Sequence, residues 1–164
     1  MRHLILASLF FVALNATMIG HARAGDPAGV WLIQDRDAEI RVAACGGNRL
    51  CATVAWIAKP NDPETGKPWT DKHNPDPGRR SRPLNGVAIT DDMTPTATPD
   101  KWSGQVYSVK HGGKYGGSLT LLSPSRMKIE GCLMLICESE IWTKQPDGGH
   151  AGHATKVAAA PTRG

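Results

Sequence analysis

The stretch Ala38-Glu39-Ile40-Arg41-Val42-Ala43-Ala44-Cys45-Gly46-Gly47-Asn48-Arg49-Leu50-Cys51-Ala52-Thr53-Val54-Ala55-Trp56-Ile57 reads as two β-strands joined by a turn. Ile40 and Val42 share one side of the first half. Ala52, Val54 and Trp56 share one side of the second half, with Thr53 and Ala55 opposite. Side chains alternate along a strand, so apolar residues at every second position mark a half-buried strand rather than a helix. Gly46-Gly47-Asn48 tolerates the positive φ angles that a tight hairpin demands.

The same period of two extends in both directions. Strands are expected at 30–34, 38–43, 50–57, 87–90, 102–109, 115–122, 127–132 and 138–143, and no segment carries a helical period. Gly112-Gly113 and Ser123-Pro124 mark the clearest turns. Eight short strands joined mostly by tight turns predict an all-β domain, a small antiparallel eight-stranded up-and-down barrel. Closure removes exposed strand edges. A two-sheet β-sandwich is the competing geometry.

A chain of 164 residues suits one domain. Its beginning reads as an address. Met1-Arg2-His3 is a basic start, residues 4–20 are apolar and uncharged, and Ala22-Arg23-Ala24 offers small residues for cleavage. Residues 1–24 therefore read as a signal peptide cut after Ala24, which places the mature chain in the periplasm or outside the cell. No stable membrane insertion is expected after cleavage. Loss of Arg2 and Arg23 takes the net charge from +4 to +2, too mild for a dedicated nucleic-acid binder. Phe10 and Phe11 also leave, so the core rests on tryptophan, tyrosine and aliphatic residues. The composition excludes a polytopic membrane protein, a coiled coil and a collagen-like repeat.

So modest a core benefits from covalent staples, and export allows disulfides to persist. Four cysteines allow three pairings. Cys45 with Cys51 would bridge the hairpin, and Cys132 with Cys137 would close a second short loop. A four-cysteine zinc site is the weaker alternative, because paired zinc ligands usually lie two to four residues apart. No metal and no cofactor are expected.

Two regions break the alternation. Residues 60–85 form a long, proline-rich, charge-dense loop, and a loop that long in a small domain is usually functional or disordered. Residues 145–164, rich in Gly, Ala and Pro, read as a disordered tail, leaving 25–144 as the domain. The loop offers Asp62, Asp71, His73, Arg79, Arg80 and Arg82, which suit acid–base or phosphate chemistry. The plainer reading makes them Asp–Arg pairs that hold the loop against the barrel rim. Trp69, Tyr107 and Tyr115 are candidates for a pocket mouth, each with a large contact area and a polar handle. Alternatively they fill a narrow barrel. Gly104, Gly116 and Gly117 point toward a partly open interior, since glycine gives up side-chain volume. The apolar turn Leu133-Met134-Leu135-Ile136 is expected to fold back and cap the barrel, the alternative being an exposed patch that touches a membrane or a partner. His150 and His153 make a poor metal site on a tail.

An ordered string of motifs runs through this frame. It comprises Gly29-Val30-Trp31, Cys45-Gly46-Gly47 with Leu50-Cys51, Asp71 with Asn74-Pro75, and Arg82-Pro83-Leu84-Asn85-Gly86. It continues with Trp102 before Gly104 and Tyr107, Gly113-Lys114-Tyr115, Gly131-Cys132, and Trp142-Thr143. The string resembles the bacterial exported family known as domain of unknown function 2147, over residues 28–144. The resemblance implies a lipocalin-like β-barrel and no established reaction. Lys144 stands where the family tends to have arginine, and His111-Gly112 where it tends to place an acid. In lipocalin-like barrels a basic residue of the last strand often covers a tryptophan of the first. That implies a structural role for Trp31 under Lys144, with Trp142 beside them, held by a cation–π contact weaker than arginine would make.

Three functions remain open on these grounds. The leading one is a small-molecule binding module for a partly apolar ligand, with Trp69, Asp71, Arg82, Tyr107 and Tyr115 as contact residues. The second is a filled barrel that contacts an unidentified protein through loop 60–85 and the 132–137 turn. The third is a hydrolase-like enzyme working through the loop acids and His73. The absence of a nucleophile–base motif weighs toward a non-enzyme.

Overall fold

The computed structural model describes residues 25–150; residues 1–24, where the signal peptide is expected, and residues 151–164, His153 included, lie outside the described residues. Eight strands follow in order: β1 (Gly29–Leu32), β2 (Ala38–Ala44), β3 (Leu50–Ile57), β4 (Ala88–Pro95), β5 (Lys101–Ser108), β6 (Gly113–Ser123), β7 (Arg126–Leu133) and β8 (Ile136–Lys144). Each pairs antiparallel with the next, and β8 returns to β1 through Trp31↔Lys144 and Leu32↔Thr143. The sheet is a closed up-and-down barrel, and closure excludes the sandwich.

Alternation builds the core. Trp31, Ile40, Val42, Leu50, Ala52, Val54, Met93, Trp102, Leu119, Leu121, Met127, Ile129 and Trp142 are buried in one cluster. β4 is longer than the alternation predicts and reaches Pro95, where Thr94 and Pro95 pair with Ser103 and Trp102. Register shifts between β3 and β4 break its period of two, which hides the strand from a pattern search.

The interior is filled, contrary to the opening suggested by the wall glycines. A methyl group on Gly117 would lie 2.6 Å from Val106 Cγ2 and 2.3 Å from the Glu130 carbonyl oxygen; on Gly104 it would lie 2.9 Å from Met93 Sδ. These glycines give their space to the backbone of adjacent strands and to the Val106 and Met93 side chains. Gly116 is exposed, and a methyl group there would meet nothing within 4 Å, so it faces solvent rather than the interior.

Cys45–Cys51 and Cys132–Cys137 are both disulfide-bonded. The expected cap at residues 133–136 does not form: β7 and β8 pair up to Leu133↔Ile136, and all four apolar side chains are exposed. Direct pairing of Cys132 with Cys137 leaves too short a link for the turn to fold back. Residues 145–150 lie against the barrel through a short 3₁₀ turn (Pro146–Gly148). Gln145 N donates to the Val30 carbonyl, and His150 stacks on Trp56 with ring centroids 4.2 Å apart. The Nδ1 of His150 lies 2.8 Å from Oε1 of buried Glu39.

Candidate functional site

In an up-and-down barrel alternate connections share an end. The β3–β4 loop therefore lies at the same end as the β5–β6 and β7–β8 turns. The loop is ordered by its own backbone: Asn61 bridges Pro68, Thr70 bridges Pro83, and Leu84 N donates to the Trp69 carbonyl. Asp71 N donates to the Arg82 carbonyl, which brings residues 69–71 alongside 82–84. The β5–β6 turn then meets it closely, since a Cβ on Gly112 would overlap the His73 carbonyl. Gly112 has φ +67°, so glycine serves both the turn and the close approach.

Asp71 is the hub. Its carboxylate is fully buried and accepts from Tyr107 Oη at 2.7 Å, Asn74 Nδ2 at 2.7 Å, and Arg82 Nε and Nη2 at 3.0 and 2.7 Å. Asn74 Nδ2 also donates to Tyr107 Oη at 3.1 Å. Burial pushes the Asp71 carboxyl up, but the donors from Tyr107, Asn74 and Arg82 outweigh it and hold it below its ordinary value. Burial and the adjoining carboxylate raise Tyr107, so its phenol stays protonated. The network latches the long loop onto β5. It leaves Asp71 ionised, covered and engaged, which ill suits a group that must exchange protons with a substrate.

Beside the latch opens a groove of about 220 Å³, lined by Trp69, Thr70, Lys72, His73, Leu84, Val109 and Lys110. Its apolar surface comes from Trp69, Leu84 and Val109, and three basic residues rim it with no acid among the lining. Trp69 Nε1 donates to the Lys59 carbonyl at 3.0 Å, which fixes the indole. Lys72 Nζ lies 5.4 Å from the Trp69 ring centre, within cation–π range.

The structure thus gathers Asp71, Arg82 and Tyr107 into one network with Trp69 on the adjoining groove, while Tyr115, on β6, pairs with Val106 of β5 and is not among the groove lining. Asp62 accepts in its own turn from Glu64 N, and Arg79 pairs with Asp76 at 3.3 Å. Arg80 Nε donates to the Asn74 carbonyl. At the opposite end Lys144 Nζ lies 5.3 Å from the Trp31 ring centre and donates to the Asp26 carbonyl at 2.7 Å, while Trp142 is buried in the core. Sequence reasoning missed Asn74 as a latch residue and Thr70, Lys72, Leu84, Val109 and Lys110 as groove residues. The place of Asn74 beside Asp71 in the motif string that resembles the family was the one available signal.

A closed eight-stranded antiparallel up-and-down barrel is a lipocalin-like fold. The chain belongs to the family described as "Uncharacterized protein conserved in bacteria (DUF2147)", which it matches over residues 29–144. Among solved structures it is similar to HP1028 of Helicobacter pylori, described as belonging to the lipocalin family. The identity is 15%, with 85% of this chain and 93% of that one covered and a TM-score of 0.61. A redesigned β-barrel matches at 16% identity over 72% of this chain and 90% of that one, with a TM-score of 0.42. No curated protein matches it. Among the described residues no helix is long and apolar enough to cross a membrane.

Proposed function

We propose that this protein is an exported binding module that holds a small, partly apolar anion at the rim of its barrel. The observation that carries the reading is the groove beside the latch, where an indole and two aliphatic side chains meet Lys72, His73 and Lys110. The filled interior supports a rim site over a luminal one. At about 220 Å³ the groove is below the roughly 300–1,000 Å³ of drug-sized pockets, which suits an aryl or short acyl group bearing one acidic head. Trp69 would stack on the apolar part and the lysines would neutralise the head. Asp71, Arg82 and Tyr107 would act by holding the loop in place.

The test is a titration with 8-anilinonaphthalene-1-sulfonate, an aryl group with an anionic head, followed by dye fluorescence. Saturable binding that weakens with salt and falls at least about tenfold in the Lys72→Glu/Lys110→Glu pair supports the proposal. Absence of saturable binding, or equal binding by the pair, overturns it. A second reading, a protein-interaction module, is favoured by the filled barrel together with the exposed 133–136 turn.

A further inference from the structure

The turn between β7 and β8 carries four apolar side chains in solvent: Leu133 is 61% exposed, Met134 92%, Leu135 98% and Ile136 73%. Leu122 is the one other exposed large apolar side chain among the described residues. Neither packing nor turn chemistry asks for these residues. Met134 and Leu135 bury almost nothing, and Met134 sits at φ +55°, a left-handed conformation that glycine adopts freely and that costs another L-residue about 1–2 kcal/mol. A glycine or asparagine there would make a better turn. The Cys132–Cys137 bridge clamps the strands directly beneath, so the tip is held out and cannot retract.

The surroundings select the occupant. β6 pairs with β7 through Gly116↔Cys132, which sets the β5–β6 hairpin beside the tip with Lys110, His111 and Lys114. Lys114 is an exposed side chain shared with Asp91 at 3.3 Å, and Glu138 lies below the staple opposite Gly131. A convex apolar tip with Lys110 and Lys114 along its β5–β6 flank matches an anionic lipid surface. The acyl boundary accepts the apolar side chains without a preformed cavity, and the cations meet lipid phosphates. A protein partner would need a complementary pocket.

We propose that the stapled turn Leu133–Ile136 docks the protein, peripherally and reversibly, on an anionic membrane surface. The proposal stands independently of the groove. The groove lies at the same end of the barrel as the tip.

The test is sedimentation of the full chain, disulfides intact, with phosphatidylcholine vesicles containing about one-third phosphatidylglycerol, and with phosphatidylcholine alone. Sedimentation with the anionic vesicles is expected. It should fall at least about tenfold in Met134→Ser/Leu135→Ser, two exposed changes that leave the fold intact by near-UV circular dichroism. Lys110→Glu should lower binding to the anionic vesicles alone. A wild-type chain that stays in the supernatant with both vesicles overturns the proposal, as does a serine variant that sediments like wild type. It is also overturned if the wild type ignores vesicles but elutes as a dimer that the serine variant breaks, because the tip then joins two copies of the chain.

Discussion

Replacing Asp71 by alanine tests whether the loop is held by one carboxylate. Four donor contacts converge on Asp71, and two come from groups buried with it, Tyr107 Oη and Asn74 Nδ2. Hydrogen bonds to a charged group contribute about 1.5–3 kcal/mol each. Arg82 is 36% exposed and can turn to water, so its share is discounted to under about 1 kcal/mol. Taking the lower figure for the two buried donors gives a destabilisation of about 3 kcal/mol for Asp71→Ala, roughly 10 °C in Tm for a domain of this size. Asp71→Asn keeps the shape and one acceptor and should cost about half as much. The pH dependence follows from the same network. The folded carboxyl lies below its ordinary 3.8, so its contribution is fully present above about pH 4 and is lost as pH falls through the lower folded value. Asp71→Asn should lack that acid limb. Thermal melts followed by circular dichroism between about pH 2.5 and 7 provide the measurement. A melting temperature for Asp71→Ala within about 2 °C of wild type, or parallel acid limbs in wild type and Asp71→Asn, would refute the latch.

Tyr107→Phe should cost about 1–1.5 kcal/mol in urea unfolding. It should also abolish a loss of stability at high pH, because the raised phenol contributes below about pH 10 and ceases to as it ionises. Gly117→Ala should destabilise by about 1–3 kcal/mol, since its methyl group meets Val106 and the Glu130 carbonyl; free tolerance of alanine would show an open interior. Lys144→Ala should cost about 1 kcal/mol by removing the cation from Trp31, and Lys144→Arg should restore stability; equal melts for all three would assign that contact no energy.

The barrel was legible because alternation is a local property. Ile40 and Val42, or Ala52 and Val54, declare their buried face within a few residues, and Gly46-Gly47 or Gly112-Gly113 declares the turn. Both cysteine pairs flank short turns: register sets Cys132 directly opposite Cys137, whereas Cys51 pairs with Ala43 and reaches Cys45 two residues further along the turn. The second half of β4 was hidden because Asp91 and Asp92 sit among register shifts that destroy the period.

The candidate site was legible only as residue types. Short-range periodicity and composition by themselves favoured an antiparallel eight-stranded barrel over a sandwich, an expectation of export with disulfide staples, and a long charged loop, because each of these is a local property of the chain. Tertiary structure decided that Asp71 meets Tyr107 across 36 positions, that Val106 and Met93 occupy the space beside the wall glycines, and that Tyr115 stands apart from the groove. It also decided that Leu133–Ile136 face solvent and that His150 lies on Trp56. Each depends on which surfaces distant segments bring together. A side chain's chemistry is written in its own residue, whereas its burial belongs to the neighbours that the closed barrel supplies.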